Sequence, residues 1–387
     1  MSATDKDMMA APRILCISFS DIEADSRVLR QVRLLAEAGE VTTLCYGNRP
    51  PGATHHLEVD SALPSLPQTP AGVLKLALRR FAAVELSAPA LKQARELVGD
   101  RTFDLVVANE ARALPLAHAV AHGAPVWGDM HEWAPEERAH VLPWRLLVKP
   151  YMYSICAKYL PRTTAVTAVN ASIASLYTEQ FGCRTEVVRN AGPFRDLEPS
   201  PPAPGRIRLV HSGAAVPGRN LEGTIEAVKA LDDRFTLDLY LVKARDGGRY
   251  WQQLKDLTAG DPRITFHDAV TPEELPATLN RYDVGVFSLP PQTTNHRLML
   301  PNKFFDFVQA RLALVFSPSP ETAKLMQEHD LGVITEDFSN AALTRAVASL
   351  TNADVERYKA NTHRAARALS SAEDESVTRA VLARLLG

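Results

Sequence analysis

Short apolar runs alternate along the chain with longer stretches in which apolar positions recur every three or four residues. The first run, residues 13–18 (RILCIS), predicts a buried strand that a polar loop carries to Asp25 and Ser26. Val28, Val32, Leu35 and Ala36 then fall on one helical face, and Gly39 stands where a left-handed cap ends a helix. Residues 41–46 (VTTLCY), 104–108 (DLVVA), 125–130 (PVWGDM), 163–169 (TTAVTAV) and 185–189 (TEVVR) read as further strands, with helix-length segments between most of them. Strands alternating with helices predict an α/β fold with a parallel, doubly wound sheet.

Residues 198–206 (EPSPPAPGR) hold four prolines and a glycine, which neither a helix nor a central strand tolerates. The alternation restarts after them with strands expected at 207–211, 236–242, 263–267, 283–288 and 313–317. Thr271, Pro272 and Glu274 combine a cap, a proline at the first helical position and a capping-box glutamate, while Pro276 predicts a bend. Asn220 precedes an apolar stripe of Leu221, Ile225, Val228 and Leu231, and residues 354–386 read as two helices. The expected division is a domain at 1–198, a linker at 199–206, a domain at 207–370 and a C-terminal helix at 371–387 that packs back on the first domain. No internal sequence repeat accompanies the shared architecture.

A length of 387 residues agrees with two such domains at roughly 150 residues each. A net charge of −2 gives no overall field for nucleic acid, so any anion site must be local. Cys16, Cys45, Cys156 and Cys183 lie far apart with no C-x-x-C pair and read as reduced core thiols of a cytoplasmic protein. The opening MSATDKDMMAAPR lacks an apolar core and reads as a loose tail rather than a secretory signal. No uncharged apolar stretch of about 18 residues predicts a spanning helix. Residues 73–84 (VLKLALRRFAAV) and 142–162 (LPWRLLVKPYMYSICAKYLPR) mix Lys and Arg with aliphatic and aromatic residues. They read either as peripheral contacts at the inner membrane face or as helices packed on their own domain with exposed basic residues.

Open α/β sheets bind ligands at the carboxyl ends of their strands, and two such sheets joined by a short linker are expected to face a central cleft. The chain has neither G-x-x-x-x-G-K-[ST] nor a G-x-G-x-x-G after the first strand of either half. Instead, IRLVH is followed by HSGAAVPGRNLE, where Gly213 and Gly218 free the backbone and Arg219 adjoins a helix start. That combination can hold a diphosphate, or be an ordinary loop with a solvated Arg. In TTNHRLMLPNKFFDFVQARLALVF, Pro301 and Asn302 open a helix with Phe304, Phe305 and Val308 inward. Asn302 is a candidate cap, Lys303 a candidate anion contact, and Asp306 a carboxylate suited to ribose hydroxyls; the plain alternative is a surface Lys303–Asp306 ion pair. Asp129, His131 and Glu132 form a D-x-H-E cluster at a strand's carboxyl end, where a satisfied structural histidine is the competing reading.

At these residues the chain resembles GT-B glycosyltransferases, most closely the nucleotide-sugar-dependent family 4 type. LPNKFFDFVQARLALVFS is similar to that family's "LPNKLFEYLAAGLPVV", ADSRVLRQVRLLAEAGEVTTLCY to its "DpRV…A..L…G..V" opening, and PVWGDMHEW to its "PVvyDxHE" strand end. The resemblance implies two Rossmann-like domains, the first binding an acceptor and the second a nucleoside-diphosphate sugar. It matches His131 to a histidine beside the donor sugar, Arg219 to the basic residue at the diphosphate, and Asp306 to a ribose-binding glutamate. Asp25 and Arg27, with Asp129 and Glu132 flanking His131, fall on the acceptor side, while Gly213, Asn302, Lys303 and Glu321 fall on the donor side.

Leu298 stands where the family's first paired glutamate is expected, and Ala214 where it usually has Arg. Thr293, Thr294, Asn295 or His296 is the candidate replacement for the missing sugar contact, and Lys243 or Arg245 for the missing charge. The implied activity is metal-independent transfer of a sugar, with retention, to a hydroxyl of a glycan, lipid-linked or small-molecule acceptor. The nucleotide sugar is a substrate and no separate cofactor is implied, with His131, Arg219 and Lys303 as the catalytic candidates. The alternatives are a sugar-nucleotide 2-epimerase of the same fold and a non-catalytic nucleotide-sugar binder.

Overall fold

The computed structural model describes residues 10–244 and 246–387, so most of the expected N-terminal tail, and Arg245, lie outside the described residues. Seven strands form the first sheet: β1 (Arg13–Asp21), β2 (Glu40–Tyr46), β3 (His55–Val59), β4 (Leu105–Asn109), β5 (Val126–Met130), β6 (Ala165–Ala168) and β7 (Thr185–Val187). Their order is β3-β2-β1-β4-β5-β6-β7 and every pairing is parallel. Six form the second: β8 (Ile207–Ala215), β9 (Phe235–Lys243), β10 (Ile264–His267), β11 (Val284–Phe287), β12 (Ala313–Phe316) and β13 (Gly332–Ile334). Their order is β10-β9-β8-β11-β12-β13, again all parallel.

A parallel sheet needs helical crossovers on its faces, which is why its inner strands read as continuous apolar runs rather than alternating ones. β4, β5, β11 and β12 are buried along their whole length. In both sheets the chain starts in the middle, runs to one edge and returns to the other side. Strand order therefore reverses between β1 and β4 in one sheet and between β8 and β11 in the other, the position where such sheets hold ligands.

The chain divides into two compact units, one running through Val188 and resuming at Glu375, the other Arg189–Asp374. In the first, the C-terminal helix Ser371–Leu386 sets Val381 and Leu382 in the core beside Ile14, Val28, Val32 and Leu35, and Arg379 pairs with Glu37 at 3.1 Å. The proline-rich stretch expected as a linker at 199–206 instead belongs to the second unit. Asn280 donates to the Glu198 carbonyl, Asn352 to the Ala203 carbonyl, and the buried Lys359 to the Ser200 hydroxyl. Proline has no N–H to give a sheet ladder, and carbonyls of this segment are instead held by side-chain donors.

All four cysteines are free and buried, and burial pushes the Cys45 thiol up to about 12. None is a thiolate near neutral pH. No helix among the described residues is long and apolar enough to cross a membrane.

One close approach ties the second sheet to the helix that carries Lys303 and Asp306. A Cβ on Gly285, in the middle of β11, would stand 2.3 Å from the ring of Phe307, which is wholly buried. Gly285→Ala therefore overpacks this contact and is expected to destabilise the protein by about 1–3 kcal/mol. Thermal denaturation checks this, and an unchanged midpoint contradicts it.

Candidate functional site

In the second unit, three backbone positions of positive φ shape the end of β8 and the turn that follows it. Gly213 has φ +141°, Gly218 φ +83° and Asn220 φ +56°, and the helix Leu221–Lys229 begins directly after them. A Cβ at Gly213 would lie 2.6 Å from the Lys303 ammonium, whose side chain crosses this stretch of backbone and would have to move aside. Arg219 stands exposed on the same turn.

Lys303 is the second residue of the helix Asn302–Gln309, whose Phe304, Phe305, Phe307 and Val308 are buried. Apolar positions at that spacing hold one side of the helix in the core and leave Lys303 and Asp306 half-buried on the other. The expected Asn302 cap is not formed. Pro301 occupies the cap position, which its missing N–H and fixed φ suit, and the Asn302 amide oxygen accepts from Asn190 at 2.9 Å. The helix start thus has no side-chain cap.

Burial, and after it the charge of Arg219, lower the Lys303 amine to about 8, with the Asp306 carboxylate acting in the opposite sense. Arg219 and Lys303, more than eighty residues apart in sequence, are close enough to repel. Among the described residues neither forms a salt bridge, so the surface Lys303–Asp306 ion pair is not made. Lys303 Nζ lies 5.5 Å from the Phe287 ring centroid, and His211 stacks on that ring at 6.2 Å and 10°. His211 Nδ1 donates to the Val286 carbonyl at 2.9 Å. Burial, and then the Lys303 charge, hold this imidazole at about 3, so it is neutral.

Thr293 caps the short helix Thr294–Arg297, accepting from the His296 N–H at 3.2 Å. The candidate polar loop is therefore folded, with Leu298 at its end. Glu321 is half-buried in the first turn of Pro320–His329. Lys243 is directed onto the Trp251 ring, 4.6 Å from its centroid, which accounts for its charge locally.

The first unit gathers a different cluster at the carboxyl ends of β4 and β5. Asp25 caps the helix Ser26–Ala38, accepting from Val28 N–H at 3.2 Å, which places Arg27 in the first turn facing inward. Arg27 was expected to face an acceptor. It is instead buried, and its planar fork meets both oxygens of Asp129 at 2.9 and 2.6 Å while NH1 donates to the Val188 carbonyl at 2.6 Å. Asp129, also expected on the acceptor side, is buried and accepts from the Thr167 hydroxyl at 2.6 Å. Glu132 is exposed, and its backbone carbonyl accepts from the Tyr177 hydroxyl.

His131 Nε2 faces two acceptors, Asn109 Oδ1 at 3.1 Å and Asp129 Oδ2 at 3.4 Å, so that nitrogen carries the proton. Its Nδ1 lies 3.9 Å from Glu110, which pairs with Arg112 at 2.6 Å. Burial disfavours the imidazolium, but the hydrogen bond and charge of Asp129 outweigh it and raise the His131 pKa. Burial likewise works against the Asp129 carboxylate, yet Arg27 and His131 hold it well below the usual range.

Asn109, Glu110, Arg112 and His211 were not singled out from sequence. The first two follow an apolar run at its carboxyl end, in VVANEAR, and that position was the available signal.

No family model and no curated protein matches the chain. Solved structures do. Anabaena HepE, in a complex with UDP-glucose, superposes with a TM-score of 0.67 at 13% identity, over 96% of this chain and 100% of that one. Sucrose-phosphate synthase from Thermosynechococcus elongatus gives 0.68 at 14% identity, over 97% and 99%. A trehalose 6-phosphate synthase from Burkholderia multivorans gives 0.65 at 13%, over 97% and 99%. The chain thus has the fold of the GT-B glycosyltransferases, two Rossmann-like domains.

The cluster makes a pH-dependent prediction. Because the His131 pKa is raised on folding, its stabilisation is present below an unfolded value of about 6.5 and is lost as pH rises through the folded value. The depressed Asp129 contributes above about pH 3.9 and loses that contribution only as pH falls towards its folded value. Asp129→Asn leaves Arg27 buried without its anion, which costs about 3–5 kcal/mol, and removes the group that holds up the His131 pKa. An NMR titration is expected to place the His131 midpoint above 6.5 in the wild type and lower in Asp129→Asn. An equal or higher midpoint in the variant contradicts the assignment.

Proposed function

We propose that this protein is a glycosyltransferase of the family 4 type, moving a sugar from a nucleoside diphosphate to an acceptor hydroxyl with retention and without a metal. The observation that carries the reading is the Arg219–Lys303 pair, two mutually repelling cations at the switch-point end of the second sheet that form no salt bridge among the described residues. A diphosphate at this turn would meet both charges and the uncapped start of the Asn302–Gln309 helix, with Asp306 suited to the ribose hydroxyls.

As the glycosidic bond breaks, negative charge grows on the leaving diphosphate, and Arg219 and Lys303 stabilise it where it develops. A phosphate oxygen takes the acceptor proton. The first unit supplies His131, whose Nε2–H is oriented by Asn109 and Asp129, and binds the acceptor; Arg27 positions Asp129 rather than touching substrate. The UDP-glucose complex of HepE makes uridine nucleotides the first donors to test.

Turnover of a nucleotide-sugar panel, with binding heats in parallel, distinguishes the readings. A transferase releases nucleoside diphosphate faster when acceptor is present, an epimerase alters the sugar without acceptor, and a binder shows affinity alone. Arg219→Ala is expected to lower kcat by about 10²–10³-fold, as removal of an oxyanion donor does, and His131→Ala to lower it strongly with little loss of folding stability. EDTA is expected to leave turnover unchanged. Wild-type rates in both variants refute the site, and loss of activity in EDTA refutes the metal-independent mechanism.

A further inference from the structure

Six of the eight large apolar side chains that stand exposed among the described residues lie in two neighbouring segments of the first unit. They are Val73, Leu74 and Leu78 in one, and Leu142, Leu146 and Tyr153 in the other. The first segment is the helix Pro70–Ala77 with the turn that follows it. The second runs from Leu142 through the π-helical Trp144–Val148 into the helix Lys149–Tyr159.

The segments form one surface. Arg79, with φ +57° after the first helix, donates to the Leu146 carbonyl at 3.0 Å, and the Phe81 and Tyr151 rings meet at 6.0 Å. Leu76, Tyr151, Met152 and Ile155 fill the inward side, which accounts for the packing of both helices on their own unit. It does not account for the outward side, where Leu74 and Leu78 are each 59% exposed and Leu142 and Leu146 each 54%. Single exposed leucines are ordinary; a cluster of this kind marks a contact surface.

Charge identifies what it contacts. Residues 70–84 and 138–162 contain eight Lys and Arg and no Asp or Glu, in a chain whose net charge is −2. Lys149 and Lys158 are neutralised by Glu136 and Glu85, which lie outside these stretches, and Arg138 rests over the Trp144 ring. Lys75, Arg80 and Arg145 pair with no carboxylate among the described residues. Apolar tips among unneutralised cations complement a bilayer whose headgroups are anionic: the leucines enter the acyl boundary and the cations meet lipid phosphates. A second copy of the same surface would set like charges against each other.

We infer that this face of the first unit docks on the surface of an anionic lipid bilayer. It adjoins a pocket lined by Tyr46, Arg112, Glu137, Arg138 and Trp144, and Glu137 also borders the recess at His131, so the docked face is continuous with the first unit's polar cluster. The inference does not depend on sugar transfer.

Sedimentation with vesicles of phosphatidylcholine alone, and of phosphatidylcholine mixed with phosphatidylglycerol, tests it on the full chain. The wild type is expected to sediment with the mixed vesicles only, and less as salt is raised. Combining Lys75→Gln, Arg80→Gln and Arg145→Gln is expected to weaken binding on the order of a hundredfold. Leu74→Ser with Leu78→Ser is expected to weaken it about tenfold or more, with thermal midpoints kept because these side chains are exposed. Failure of the wild type to bind mixed vesicles overturns the inference without recourse to any variant. So does equal binding to both vesicle types, or a serine variant that dissolves a dimer while vesicle binding is unchanged.

Discussion

Lys303 carries its ammonium across the backbone of Gly213, where one added methyl group would collide with it, and Arg219 repels it from the same turn. Removing a cation from water without a paired anion is unfavourable, and a like charge nearby adds to the cost. The surrounding structure maintains the arrangement. Four apolar residues of the Asn302–Gln309 helix fix its inner side, Gly285 lets Phe307 seat flush on β11, and Gly213 leaves room for the amine. An anion entering this turn would relieve an electrostatic penalty already present in the folded protein.

Charge is handled in the opposite way in the first unit. Arg27 and Asp129 are both buried, but each is matched through a bidentate pair, and the remaining donors and acceptors reach Val188 and Thr167. Such a pair adds little net stability by itself, yet it fixes a carboxylate at one point in space. Asp129 in turn orients His131, so Arg27, a helix residue 102 positions from Asp129 in sequence, helps set the imidazole's proton and tautomer. A stabilised imidazolium and a destabilised ammonium come from the same rule, the presence or absence of a buried partner.

Most of this fold was legible because parallel strands buried on both faces carry near-continuous apolar runs, and β1, β4, β5, β8, β11 and β12 each contain one. The strands that escaped are both at sheet edges. β3 is HHLEV, half exposed and polar, and β13 is three residues long. The proline-rich segment looked like a tether because composition reports what a segment cannot form, not what it lies against; its partners, Asn280 and Asn352, are distant in sequence. In the site, the PNK helix start and the glycine turn were visible as local patterns. The burial of Arg27 was not, since an Arg in the first turn of a helix reads as solvated until its partner strand is placed beside it. The neutral His211 under the Lys303 charge was hidden for the same reason.

The Arg219–Lys303 turn is the diphosphate site we propose. Calorimetric titration of the protein with uridine diphosphate near pH 8, in buffers of different ionisation enthalpy, measures the protons exchanged on binding. A diphosphate beside an amine whose pKa lies at about 8 raises that pKa, so binding should take up protons in the wild type and lose that uptake in Lys303→Met. Absence of binding, or an uptake identical in the wild type and Lys303→Met, would rule out a diphosphate site at Lys303.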